Sequence, residues 1–132
     1  MTKEEILELK QDENLDKLIA EIVMKWHKFH LYVDGTWTDY HADQWHDENG
    51  IVKYQLLKEF KPSTNISCAW QVFEKVKLLG GWIEVAWNPK KNCYRCMIGG
   101  NLSEGKLKSV DLSGFDTVEV AICKASLIAT MT

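Results

Sequence analysis

Trp82-Ile83-Glu84-Val85-Ala86-Trp87-Asn88-Pro89-Lys90-Lys91-Asn92-Cys93-Tyr94-Arg95-Cys96-Met97-Ile98 reads as two strands joined by a turn. Aromatic and branched residues fill Trp82–Asn88, Asn88-Pro89-Lys90-Lys91 supplies the turn, and Asn92–Ile98 returns as the hairpin partner. Side chains alternate across a strand, so Ile83, Val85 and Trp87 face one way while Trp82 and Ala86 face the other, with Glu84 between them. Apolar residues on both faces predict a sheet covered by helices on both sides. Gly99-Gly100-Asn101 breaks the sheet, and Leu107–Leu112 is expected to add an edge strand.

Outward from this hairpin the chain reads as helices. Pro62-Ser63-Thr64-Asn65 opens one, with Ile66, Ala69, Trp70, Phe73 and Val76 on one face, and Gly80-Gly81 stops it. Asp116-Thr117-Val118-Glu119 opens another, with Val118, Ala121, Ile122, Ala125 and Ile128 on one face. Near the start, Thr2-Lys3-Glu4-Glu5 fits a capping box for a short helix. Leu15, Leu18, Ile19, Ile22, Val23 and Trp26 then recur at three- and four-residue steps, predicting an amphipathic helix of about 13–15 residues with Asn14 as its N-cap. Residues 30–61 hold a possible strand at Leu31-Tyr32-Val33 and turns at Asp34-Gly35 and Asn49-Gly50, but read mainly as a long aromatic, acidic loop. The expected fold is α/β (α+β): a three-layer α–β–α sandwich with a small, mostly antiparallel sheet, in one domain spanning 1–132.

Composition bounds the function. At 132 residues the chain is one ordinary domain, and with 45% hydrophobic and 27% charged residues it is neither disordered nor fibrous. No apolar run approaches the roughly 20 residues of a membrane span, and Met1-Thr2-Lys3-Glu4-Glu5 is unlike a signal peptide, so a cytoplasmic protein is expected. Charge is uneven: residues 34–50 carry a net −5 and residues 51–110 a net +6, within a total of −3. An acidic chain is a poor duplex binder, whereas its basic middle suits a small anion. Arg95 is the only arginine and so the only bidentate donor of its kind.

The four cysteines, Cys68, Cys93, Cys96 and Cys123, are expected to be reduced. Cys93 and Cys96 resemble half of a zinc knuckle without a second half, and three residues apart on a strand they point to opposite faces. His27, His30, His41 and His46, with Asp39, Asp43 and Asp47, contain enough ligands for a divalent ion but no fixed ligand spacing; they read as solvated or packed residues, and neither metal nor cofactor is expected. No GxSxG, P-loop or paired cysteine and base appears, so no catalytic residue is assigned.

Three segments, Leu15–Trp26, Ser63–Lys75 and Ala121–Leu127, together with the opening Met1–Leu7, resemble the phage ABA sandwich domain, a family of small phage and prophage proteins. The resemblance implies an α–β–α fold and a phage origin, hence an infected or lysogenic bacterial host, and brings no catalytic residue set. Asn65 and Lys124 stand where it leads one to expect an acidic residue and an arginine.

The function expected from these signals is a phage accessory protein that binds and sequesters a small anionic ligand, such as a nucleotide immune signal, without turning it over. The candidate ligand residues are Arg95, Lys61, the N–H groups of Ser63 and Thr64 at a helix start, Lys124, and the stackable Trp37 and Trp45. The competing reading is a factor that grips a host protein through its aromatic acidic loop. A loop metal hydrolase ranks last. A small sheet leaves edges unpaired and little concave surface, so a homo-oligomer, most simply a dimer, is expected with the site near its interface.

Overall fold

The computed structural model describes residues 1–35, 37–100 and 107–131. In chain order they form α1 (Lys3–Glu8), α2 (Glu13–Leu18) running into a wide π turn (Ile19–Val23), then β1 (His27–Val33), β2 (Tyr40–His46) and β3 (Val52–Tyr54). A short 3-10 turn (Leu57–Glu59) leads to α3 (Ile66–Leu78), β4 (Gly81–Asn88), β5 (Cys93–Gly100), β6 (Val110–Phe115) and α4 (Val118–Thr130). The strands make two antiparallel sheets of three, ordered β1-β2-β3 and β4-β5-β6. This is the mixed α+β sandwich with antiparallel pairing that the sequence predicts, with a second sheet where a loop was expected.

The central hairpin forms as its residues dictate. Asn88 Oδ1 accepts the N–H groups of Lys90 and Lys91, closing the turn, and Asn92 adopts a positive φ of 53° beyond it. The register sets Trp82 opposite Gly99, and a Cβ at Gly99 would meet the Trp82 ring at 2.7 Å. Glycine is therefore required where the indole lies across the neighbouring strand. The edge strand β6 lies three residues later than the Leu107–Leu112 segment expected to form it, and Asn101 falls outside the described residues.

Helices α3 and α4 cover one face of this sheet, where Ile98, Cys96, Leu112 and Phe115 are buried. The other face carries exposed Trp82, Glu84, Arg95, Asp111 and Ser113 and is open among the described residues, so the cover expected on both sides is present on one. Helix α4 is enclosed: every residue from Ala121 to Ala129 is buried, with the sheet on one side and α3, the π turn and α1 around the rest. A helix that is apolar on nearly every side has to be surrounded.

Three local readings change. Asp12, not Asn14, caps α2, accepting the N–H groups of Asn14 and Leu15. The following helix stops at Met24 because Lys25 takes a left-handed φ of 61° and Trp26 N–H closes back on Ala20 O at 2.9 Å. Trp26 is 8% exposed and packs on Phe60 and Tyr54, as its place on an apolar stripe predicts. Trp70, given the same role on α3, is instead 53% exposed and stacks on Phe73. The residues α3 buries are Cys68, Ala69, Val72 and Val76, whose small side chains let it lie close against the alanines of α4.

Candidate functional site

A cavity of about 450 Å³ opens between α2 and the connector that joins β3 to α3. Leu56, Leu57 and Phe60 give it apolar lining, and Asp12, Glu13, Asp16, Lys17, Asp43, Lys58, Lys61 and Thr64 give it polar lining. That size suits a small organic ligand.

The charges in this wall are not equivalent. Asp12 is engaged as the cap of α2. Asp16 is buried and accepts the Ser63 N–H at 2.8 Å. Burial pushes its carboxyl pKa up, against the Ser63 hydrogen bond that pulls it down. Asp43 takes a hydrogen bond from His30 at 2.7 Å. Lys17, Lys58 and Lys61 make no ion pair among the described residues. Three of the four acids are thus satisfied from within the protein, while the three ammonium groups are left to solvent or to a ligand.

Of the residues the sequence singled out, Lys61 and Thr64 line this cavity. The expected N–H cradle at Ser63 and Thr64 does not exist. The Ser63 N–H belongs to Asp16, the Thr64 N–H bonds Lys61 O at 3.1 Å, and α3 begins only at Ile66, capped by Asn65. Arg95 lies on the open face of the other sheet, held bidentate by Asp111 at 2.7 and 2.6 Å. The pair holds the guanidinium pKa up and the Asp111 carboxyl down. Lys124 is buried, and its Nζ donates to Leu7 O at 2.8 Å, tying α4 to the last turn of α1. Burial lowers its pKa, and it borders a separate cavity of about 420 Å³ with Leu7, Gln11, Phe115 and Asp116. The two loop tryptophans part company. Trp37 is 96% exposed at the β1–β2 connection, whereas Trp45 is 1% exposed and gives its Nε1–H to Leu57 O.

Sequence reasoning missed a hydrogen-bonded polar cluster on the exposed face of β1–β2. In the β1–β2 register His30 faces Asp43 and Tyr32 faces His41. His30 Nδ1 lies 2.7 Å from Asp43 Oδ1, and His30 Nε2 lies 3.0 Å from His41 Nδ1. Thirteen and eleven residues apart, these groups meet only through cross-strand pairing, which a loop reading of 30–61 could not supply.

Cys93 and Cys96 are both buried on β5, and burial pushes the Cys96 thiol up to about 12. The Cys123 thiol is pushed up as well. Among the described residues no group of three or more His, Cys, Asp or Glu side chains converges on one point, and no helix is long and apolar enough to cross a membrane.

Residues 17–127 match the family model of the phage ABA sandwich domain. No curated protein and no solved structure matches the chain.

Proposed function

The chain belongs to the phage ABA sandwich domain family, and on that premise we propose that it is a phage accessory protein that binds a small anionic ligand in the cavity between α2 and the β3–α3 connector. It acts by holding the ligand, not by converting it. What carries the reading is the charge arrangement: three lysines, Lys17, Lys58 and Lys61, without ion pairs among the described residues, beside four acids of which Asp12, Asp16 and Asp43 are already engaged. The apolar side chains of Leu56, Leu57 and Phe60 suit a base or ring, and the ammonium groups suit phosphate. A nucleotide immune signal of the host fits this chemistry, and removing such a signal needs tight binding and no turnover. The protein then works in the cytoplasm of an infected or lysogenic bacterium. Arg95 and Lys124, engaged elsewhere, are outside this site.

Calorimetry against a panel of cyclic and linear nucleotides, followed by mass analysis of the recovered ligand, tests it. Heat with intact ligand is expected. Cleaved ligand replaces sequestration with catalysis. Absence of heat across the panel favours the second reading, a host-protein factor, for which the exposed Trp37 indole is the one specific observation.

A further inference from the structure

We propose that His30 and His41 form an open two-imidazole site for a nitrogen-preferring divalent transition metal, copper(II) above all, with Asp43 as the carboxylate that orients His30. The four residues His30, Tyr32, His41 and Asp43 share one face of β1–β2 because the register pairs His30 with Asp43 and Tyr32 with His41. As a carboxylate Asp43 only accepts, so His30 Nδ1 donates and the Nε2 lone pair is directed outward. That carboxylate–histidine arrangement is the one that fixes the tautomer of metal-bound imidazoles. The Nε2 so presented meets His41 Nδ1 at 3.0 Å, and the Tyr32 ring packs on His41 with centroids 4.8 Å apart.

The observed 3.0 Å is the length of an N–H···N hydrogen bond between the two rings, so this bond opens when an ion enters. Imidazole ligands favour copper(II) over the other divalent first-row ions, zinc included, and that order sets the expected preference. His30 and His41 are exposed, so both rings can swing to aim their lone pairs at one ion. In the neutral pair one N–H sits between the rings, and binding moves that proton from His41 Nδ1 to its Nε2 through solvent, with no net release. From a singly protonated pair, one proton leaves to solvent for each metal bound. No third side chain converges there among the described residues, so the ion keeps positions for water or another ligand. The site shares Asp43 with the wall of the anion cavity, but its test uses no anionic ligand.

The test titrates the whole metal-free chain with Cu²⁺ alone, read by calorimetry and by electron paramagnetic resonance. One equivalent should bind, with couplings from two imidazole nitrogens and weaker binding of Zn²⁺. The H30Q/H41Q double substitution should abolish that equivalent, D43N should weaken it by about 10- to 100-fold, and H27Q should leave it unchanged. Resonance on the unsubstituted chain counts ligand nitrogens without relying on any variant's folding. No stoichiometric binding, an equivalent retained in H30Q/H41Q, or couplings from other than two imidazoles overturns the site. Unchanged affinity in D43N overturns the role of Asp43, and zinc binding as tight as copper overturns the preference for copper(II).

Discussion

The Asp16 carboxylate accepts the backbone N–H of Ser63 at 2.8 Å across 47 positions of chain. This one bond fixes α2 against the connector and so holds two walls of the candidate cavity together. Asp16→Ala should destabilise the protein by about 1–3 kcal/mol, because it leaves a buried N–H unpaired. Asp16→Asn keeps an acceptor without a charge and should be far milder, as chemical denaturation will show.

Asp16 also gives a pH dependence of definite sign. Its folded pKa is raised above the ordinary 3.8, so the folded state holds its proton more tightly than the unfolded one. Its contribution is therefore fully present below the unfolded pKa and declines as pH rises through the folded one. Asp111, lowered by Arg95, works in the opposite direction, losing its contribution as pH falls through its folded pKa. Unfolding titrations of wild type and Asp16→Asn should differ by a curve that decreases with pH from the ordinary carboxylate pKa upward. A difference that rises with pH would refute the assignment.

Removing positive charge from the cavity should weaken ligand binding. Lys58→Ala or Lys61→Ala should each cost about 1.5–3 kcal/mol of affinity for every hydrogen bond to phosphate that the ammonium group makes. Arg95→Ala should leave affinity unchanged, since its guanidinium is held by Asp111 on the other sheet. Calorimetry with the nucleotide found in the panel measures all three.

Trp26→Ala should cost about 3–5 kcal/mol, the usual range for a buried aromatic. Trp70→Ala should cost much less, since Trp70 is half-exposed and touches Phe73 on its own helix. Equal melting temperatures for the two variants would contradict the observed packing.

All four cysteines are free and buried, and Cys96 and Cys123 have thiols held well above the usual range. A thiol reagent at pH 8 should react slowly with the folded protein and rapidly with four thiols after denaturation. Fast reaction of the native chain would mean that β5 and α4 open readily.

Light scattering should give a homodimer. Strands β4 and β6 are edges of their sheet among the described residues, and Trp82 and Trp87 lie exposed on β4. A species of 15.2 kDa, the monomer mass, at working concentration would count against it.

The hairpin β4–β5, both capped later helices and the capping box of α1 were legible because each is a local device, written in turn or cap residues. The β1–β3 sheet was not. Nearly every residue of β1 is exposed, so no alternation of apolar and polar residues marks it as a strand. The helix end at Lys25 was hidden because a left-handed lysine looks like any other lysine in sequence. Trp70 misled because the buried stripe of α3 runs through Cys68, Ala69, Val72 and Val76, and Trp70 falls beside that stripe. The candidate site was half legible: composition pointed to lysines in the basic middle, but the acids of α2 that share their cavity lie more than forty residues away.

The enclosure of α4 bears on how the chain is made. Ribosomes deliver polypeptide from the N-terminus, so α4 emerges after the strands and helices that enclose it. The β1–β2–β3 meander closes on near neighbours in sequence and can pair while synthesis continues. The inner face of β4–β5–β6, α3 and the π turn have no such option, since the helix they surround is still inside the exit tunnel. Until Lys124 reaches Leu7 across 117 positions, the nascent chain carries its apolar surfaces uncovered. During that interval the uncovered surfaces are open to aggregation and to chaperones.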